Sequence, residues 1–178
     1  MLKNTDQTSR LGSRAPVATA LMLAMAALSG TVHAQGSARA AIPPVQPGVV
    51  GVWVDHTKQG AVEIRPCGDR ICGYVVWMLK PVDDKTGRPI TDALNPDAAK
   101  RNLPMCGLQI IGDAKPSRDG RGFESGWIYN PEDGVRYDVD VKPKSRDEIL
   151  VHGFAGIRLL GETFTWTRAP DTLQKCKV

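Results

Sequence analysis

The feature that most constrains the fold is an alternation of apolar and polar residues in short stretches, each bounded by turn residues. Residues 135–142 show it most clearly, since Val, Tyr, Val and Val occupy every second position and Arg, Asp, Asp and Lys lie between them. Successive side chains of a β-strand point to opposite faces of the sheet, so this stretch predicts a strand with one buried and one solvated face. The turn before it places Pro131 where φ is preset and Gly134 where φ is positive.

Eight stretches of this kind occur, and little of the chain has helical periodicity. The predicted strands cover residues 49–54, 61–65, 71–78, 107–111, 123–129, 135–142, 148–154 and 160–167. Short polar turns join most of them, which favours an antiparallel meander. Eight strands are enough to close a barrel and remove the exposed sheet edges. We therefore predict an all-β fold, an eight-stranded antiparallel up-and-down barrel, with a two-sheet sandwich as the alternative.

One connection, residues 80–104, is too long for a simple hairpin loop, and loops of this length are usually functional or contain a short element. Asn95 as N-cap, Pro96 at the first helical position and Asp97 in the first turn predict one short helix that ends near Asn102.

The first 34 residues have the pattern of a signal peptide. Basic residues precede an apolar stretch over residues 17–28, and Val32 and Ala34 are small residues at the positions that a signal peptidase reads. Twelve residues reach only ~18 Å as a helix, so an uncleaved membrane anchor is the less favoured interpretation. We expect cleavage between Ala34 and Gln35, export to the periplasm, a flexible tether over residues 35–47 and one barrel domain over residues 48–178.

The charge of the mature chain disfavours nucleic acid as a partner. Removing residues 1–34 takes away three basic residues and one acidic residue, so the formal net charge falls from +4 to +2. Nucleic-acid binding requires a concentrated basic stripe. Here basic and acidic residues alternate, as in Arg136-Tyr137-Asp138. Stable membrane insertion is likewise not expected, and the oligomeric state is not predicted.

The four cysteines all lie in the predicted mature chain. An even number of cysteines in an oxidising compartment indicates two disulfides, for which three connectivities exist. Cys67 and Cys72 bracket a hairpin turn and are expected to pair locally, which leaves Cys106 and Cys176 to tie the middle of the chain to its end. Metal binding or redox activity is the alternative, but the chain has no C-x-x-C motif.

The two ends of the predicted barrel carry complementary residues. Gly51-Val52-Trp53 begins the first strand, and Trp166-Thr167-Arg168 ends the last. In a closed meander these strands are neighbours, so Arg168 is expected to lie over the ring of Trp53 in a cation–π contact worth ~0.5–2 kcal/mol. This arrangement resembles lipocalin-like barrels. The alternative is that both tryptophans are ordinary core residues.

Few residues indicate chemistry. His56 and His152 are the only histidines after residue 34, so a three-histidine zinc site cannot form, and no metal site or cofactor is predicted. Four glutamates lie on or beside predicted strands, where two could face each other at the spacing of a glycosidase pair: Glu63, Glu124, Glu148 and Glu162. Exposed strand faces explain these glutamates equally simply, and His152 fits a structural role better than that of a general base. No catalytic residue is predicted.

The order of motifs from Gly51 to Arg168 resembles the exported bacterial family catalogued as domain of unknown function 2147. The matching residues include Gly51-Val52-Trp53, Val62-Glu63-Ile64, Pro66-Cys67-Gly68, Cys72-Gly73, Val76-Trp77, Thr91-Asp92, Asn95-Pro96-Asp97, Leu103-Pro104, Trp127 to Gly134, Tyr137, Leu160-Gly161 and Thr165 to Arg168. The resemblance implies a lipocalin-like (calycin) β-barrel in the periplasm. It implies no activity, and Asn130 stands where the family often has an aspartate.

The leading functional hypothesis is a non-enzymatic protein that binds a small, apolar or amphipathic ligand in the mouth of the barrel, with residues 80–104 as a lid. The candidate pocket residues are Trp53, Trp77, Trp127, Tyr129, Tyr137, His152 and Phe154. Strand parity places Tyr74 and Trp77 on opposite faces, so some aromatic residues lie outside any such cup. The alternatives are an envelope hydrolase or carbohydrate-active protein with a carboxylate pair, and a structural or stress-related module with a filled barrel.

Overall fold

The computed structural model describes residues 48–176, so the predicted signal peptide and tether lie outside the described residues. The chain forms eight strands: β1 (Gly51–Val54), β2 (Gly60–Cys67), β3 (Arg70–Met78), β4 (Gln109–Pro116), β5 (Phe123–Asn130), β6 (Val135–Pro143), β7 (Glu148–Phe154) and β8 (Glu162–Arg168). Two short 3₁₀ helices, Ala98–Lys100 and Arg158–Leu160, interrupt the connections before β4 and β8.

Every strand pairs antiparallel with the next, and β1 pairs with β8, so the sheet closes into an up-and-down barrel. The closing register places Trp53 opposite Arg168 and Val54 opposite Thr167. The predicted barrel is confirmed. The sandwich is excluded, because the two sheets of a sandwich are not joined into one closed ladder of hydrogen-bonded strands.

The interior of the barrel is a packed core. Inward-facing side chains with almost no exposed area come from all eight strands: Trp53, Val62, Ile64, Ile71, Ile111, Phe123, Val139, Val141, Ile149, Val151 and Trp166. Burying each such side chain stabilises the fold by roughly 1.5–3 kcal/mol relative to leaving it in water. The barrel is therefore held together mainly by its own interior, as small barrels filled by side chains are.

The predicted contact between the two ends of the barrel is present. The Arg168 guanidinium lies 4.1 Å from the centre of the Trp53 ring. Trp53 is fully buried, and its Nε1 donates a hydrogen bond to the Val49 carbonyl at 2.8 Å. Gly51 is required beside this contact, because its φ is +141° and an added Cβ would lie 2.6 Å from Arg168 Nη1.

Both expected disulfides are present, Cys67–Cys72 across the β2–β3 turn and Cys106–Cys176 across 70 residues. The second disulfide secures the C-terminal segment, residues 169–176, against the outside of the barrel. Within this segment the Ala169 N–H donates to the Val52 carbonyl and the Cys176 N–H donates to the Val76 carbonyl. In the loop-closure account, a disulfide over this separation contributes up to ~4 kcal/mol.

The β3–β4 connection, residues 79–108, is fastened to the barrel through a buried carboxylate. Asp92 is 1% exposed, and it accepts hydrogen bonds from the Tyr129 hydroxyl at 2.7 Å and from Asn95 Nδ2 at 2.6 Å. A buried polar group of this kind is tolerated because both of its oxygens have a donor. The connection is therefore a fixed part of the described structure, linked to β5.

The short helix in this connection begins two residues later than the sequence predicts. Asp97, not Asn95, is the N-cap of the 3₁₀ helix Ala98–Lys100, and its side chain accepts from the Ala99 N–H. The Asn95 side chain is already occupied, since its Oδ1 accepts from the Asp97 N–H while its amide donates to Asp92. The capping residue is thus displaced because Asn95 serves the buried network.

We predict that Arg168→Ala lowers the free energy of unfolding by more than about 1 kcal/mol, because it removes both the packing on Trp53 and the hydrogen bond from Nε to the Arg146 carbonyl. Urea unfolding of wild type, Arg168→Ala, Trp53→Phe and the double variant should show a coupled pair. Arg146→Ala, an exposed side chain in the neighbouring turn, should change stability by less than about 0.5 kcal/mol. A neutral Arg168→Ala with an additive cycle would contradict the closing role of this contact.

We predict that Tyr129→Phe destabilises the protein by about 1–3 kcal/mol, because it leaves one oxygen of buried Asp92 without its donor. Tyr137→Phe is the matched control, since its hydroxyl also donates to an aspartate, Asp133, but at an exposed position. Unfolding experiments at neutral pH should show the larger loss for Tyr129→Phe. Equal losses for the two variants would show that Asp92 does not depend on this hydroxyl.

The environment of Tyr129 also predicts how the free energy of unfolding depends on pH. Burial, together with the hydrogen bond to Asp92, raises the pKa of Tyr129 from its ordinary value of 10.0 to about 12. The folded state therefore keeps a proton that the unfolded state releases, so this contribution to stability is complete below pH 10.0 and falls as the pH rises towards about 12. Over that interval wild type should lose stability more steeply than Tyr129→Phe, and parallel curves would contradict the buried hydroxyl.

Candidate functional site

The structure does not bring the seven candidate pocket residues together. Trp53 belongs to the packed core, Trp77 is half-buried near the end of β3, and the Tyr137 hydroxyl donates to Asp133 in the β5–β6 turn. His152 and Phe154 lie on the opposite face of β7 from core residue Val151. Trp127 and Tyr129 are the two candidates that border a common depression.

This depression, which we call the outer groove, lies between the β3–β4 connection and the outer face of β4, β5 and β6. Trp127 and Tyr129 lie on the outer face of β5, because Ile128 between them pairs with the fully buried Ile111 of β4. Tyr129 is nevertheless buried, since the β3–β4 connection covers it. The groove has a volume of about 750 Å³. It is lined by Asn95, Pro96, Asp97, Lys100, Leu103, Pro104, Cys106, Gly107, Leu108, Gln109, Trp127, Tyr129, Gly134 and Arg136.

Trp127 is held rigidly in the wall of the groove. Its ring lies against Gly112 on β4, where an added Cβ would come within 2.4 Å of the ring. The Arg136 guanidinium lies 3.8 Å from the ring centre, and Trp127 Nε1 donates to Asp113 Oδ2 at 2.9 Å. Arg136 reaches the ring because Trp127 pairs with Asp138 on β6, two residues beyond Arg136 on the same face.

The polar groups of the outer groove are unevenly paired. Lys100 forms an ion pair with Asp97 at 3.1 Å. Within residues 48–176, the Arg136 guanidinium has no carboxylate partner and no hydrogen bond, and its only specific contact is the stack on Trp127. Leu103, Pro104 and Leu108 supply apolar surface beside these charges. The groove thus combines apolar surface with one arginine that forms no salt bridge.

The four glutamates do not form a pair. Glu63 binds Lys175 at 2.8 Å, Glu148 binds Lys144 at 3.2 Å, and Glu124 lies 3.8 Å from Arg158. Glu162 begins β8 at an exposed position. These carboxylates therefore lie on different parts of the barrel, each with its own surroundings.

His152 has both ring nitrogens occupied. Its Nε2 lies 2.8 Å from the Arg158 carbonyl, which only accepts, so Nε2 carries the proton and donates. Its Nδ1 lies 2.8 Å from the Thr163 hydroxyl oxygen. This histidine holds the β7–β8 loop against the barrel wall, which is the structural role that the sequence favoured.

Arg158 of the same loop turns towards the barrel wall as well. Its Nε lies 2.9 Å from Asp140 Oδ2 and its Nη2 donates to Asp140 Oδ1 at 3.1 Å. Such a two-point contact with a buried carboxylate fixes the loop in place. The neighbouring Ile157, Leu159 and Leu160 are consequently exposed, Leu159 to 91%.

Across the part of the chain that the structure describes, no three His, Cys, Asp or Glu side chains lie close enough together to hold a metal ion. The same residues include no helix long and apolar enough to cross a membrane.

Arg136, Leu103 and Leu108 are groove residues that the sequence did not single out. In the sequence, Arg136 is simply one of the polar residues that alternate with apolar residues along the strand 135–142. Arg136 is identified as a groove residue by its diagonal position relative to Trp127. That position depends on the register between β5 and β6, which the sequence does not show.

Comparisons with known proteins agree on the family and the fold. Residues 51–168 match the sequence profile described as "Uncharacterized protein conserved in bacteria (DUF2147)". No curated protein matches the sequence significantly. A solved structure, described as "Protein HP1028 from the human pathogen Helicobacter pylori belongs to the lipocalin family", superimposes with a TM-score of 0.59 and 24% identity, covering 71% of this chain and 85% of that one. The chain therefore belongs to the bacterial family DUF2147, and its barrel is lipocalin-like.

Proposed function

We propose that the protein is a non-enzymatic binding protein for a small apolar or amphipathic ligand, and that the ligand occupies the outer groove instead of the barrel interior. The observation that carries this proposal is the contrast between a packed interior and an outer groove of about 750 Å³. Ligand sites are typically clefts of ~300–1,000 Å³ with apolar walls and a few placed polar groups.

The structure of the groove supports such a role in two ways. Its wall is preformed, because Trp127 is fixed by Gly112, Asp113 and Arg136. Its other side, the β3–β4 connection, is fastened through Asp92. A site that is already ordered loses little conformational entropy when a ligand binds. The lipocalin-like fold also favours a small ligand, although lipocalin-like barrels usually hold it inside.

We predict that Leu103→Glu weakens binding of dansyl-undecanoic acid, a fluorescent amphiphile, by at least about tenfold, since a charged side chain would occupy the apolar side of the groove. Fluorescence titration measures the affinity. Val82→Glu is the matched control, because Val82 is exposed to a similar extent in the same connection (43% against 48%) but does not line the groove.

Equal weakening by Leu103→Glu and Val82→Glu would show that the outer groove is not the site. Absence of binding by wild type would favour the other candidate function, a structural or interaction module. A specific observation supports that candidate: all large apolar residues found exposed in residues 48–176 lie at or near one end of the barrel, namely Leu79, Val82, Leu94, Leu103, Val135, Ile157, Leu159 and Leu160.

We further propose that the chain is exported to the periplasm with cleavage between Ala34 and Gln35. The two disulfides and the bacterial family support an oxidising, exported environment. The basic and apolar pattern of residues 1–34 supports the cleavage site. The intact mass of protein recovered from the periplasmic fraction should correspond to residues 35–178, and a species that retains residues 1–34 would contradict the proposal.

A further inference from the structure

We infer that the ligand of the outer groove carries an anionic headgroup, a carboxylate or a phosphate, and that Arg136 is the residue that selects it. This inference rests on the proposed function, since it concerns the chemistry of a ligand bound in that groove.

The charge balance of the groove is the first reason. Three ionised side chains line it, Asp97, Lys100 and Arg136. Asp97 and Lys100 lie 3.1 Å apart and neutralise each other. Arg136 forms no salt bridge among residues 48–176, so within the groove its charge is not paired directly with a carboxylate. An anionic headgroup would pair with it directly, whereas a cationic headgroup would bring a second positive charge beside it.

The orientation of Arg136 is the second reason. The contact with the Trp127 ring at 3.8 Å restrains the position of the guanidinium, and Trp127 is itself held by Asp113. No N–H group of the Arg136 guanidinium donates to another residue among 48–176, so these groups are free to donate to a ligand. A planar fork of donors matches the two oxygens of a carboxylate or phosphate, and restraint before binding reduces the entropy lost.

The position of the apolar surface is the third reason. Leu103, Pro104 and Leu108 line the same groove as Arg136. A ligand with an apolar tail and an anionic head can therefore place both parts in the groove at once, whereas an ion without a tail would have only the exposed arginine to bind. An exposed single ion pair contributes little on its own, so the expected ligand is an amphiphile and not a free anion.

Four amphiphiles with the same tail test the inference by isothermal titration calorimetry: decanoate, decyl phosphate, decanol and decyltrimethylammonium. Wild type should bind the better of the two anions about threefold to fivefold more tightly than decanol, and the cation more weakly than decanol. Comparing decanoate with decyl phosphate distinguishes a fatty-acid head from a phosphate head. Inorganic phosphate alone should bind much more weakly than decyl phosphate.

Arg136→Gln should remove the preference for anions, so it should lower the affinity for decanoate and decyl phosphate by a larger factor than the affinity for decanol. Arg136→Lys keeps the charge but loses the planar fork, so it should retain part of the preference. Arg118→Gln is the control, because Arg118 is an exposed arginine in the β4–β5 turn that does not line the groove. It should leave all affinities unchanged.

Each contrary result has a distinct meaning. Equal affinity of wild type for the anions and decanol would overturn the inference and leave the proposed function intact. Equal losses for decanoate and decanol in Arg136→Gln would also overturn it, since Arg136 would then act on the shape of the groove. Binding of none of the tailed ligands would refute the proposed function as well. Thermal unfolding of each variant excludes misfolding, and Arg136→Lys provides the test if Arg136→Gln does not fold.

Discussion

The pairing of β1 with β8 is the constraint on which the other features depend. It turns eight strands into a closed sheet, so every strand has two neighbours and the inward-facing side chains form one core. We call this β1–β8 pairing the closing seam. Arg168 stacks on Trp53 there, and the Trp53 indole N–H donates to the Val49 carbonyl. Trp53 therefore links the residues before β1, β1 itself and β8. The C-terminal segment continues from the seam across the outside of β1 and β3 to the disulfide at Cys106.

The packed interior explains why the candidate ligand-binding groove lies outside the barrel. The core side chains fill the barrel interior, and the β3–β4 connection packs on the outer face of the sheet. There Asp92 joins the connection to Tyr129. The connection then forms one side of the outer groove and the strands form the other. Cys106 lines the groove as well as holding the C-terminal segment, so the same disulfide supports both regions.

The fold could be predicted from the sequence because alternation, turn residues and the cysteine spacing are local signals that agree with one another. The site could not be predicted in the same way, because β-bulges change which residues share a face. Phe123 and Ile128 both face the core although they are five residues apart, and this is possible because the register shifts between Phe123 and Gly126. Ser125, within that shift, has a positive φ of 57°, and Asp113 on β4 has one of 60°. Alternation alone does not reveal such residues, so it cannot show that Trp127 and Tyr129 face outward.

The closing seam also sets an order of events in time. Trp53 and Arg168 are about 115 residues apart, and contacts of such separation form late because the chain between them must first be brought together. When a chain emerges with its N-terminus first, from a ribosome or from a translocation channel, β1 is among the first strands to appear and its final partner the last. Until Arg168 has emerged, β1 keeps one unpaired edge and the core has an open side. We therefore expect edge-to-edge aggregation of the newly made protein to be most frequent during this interval and to end when the barrel closes.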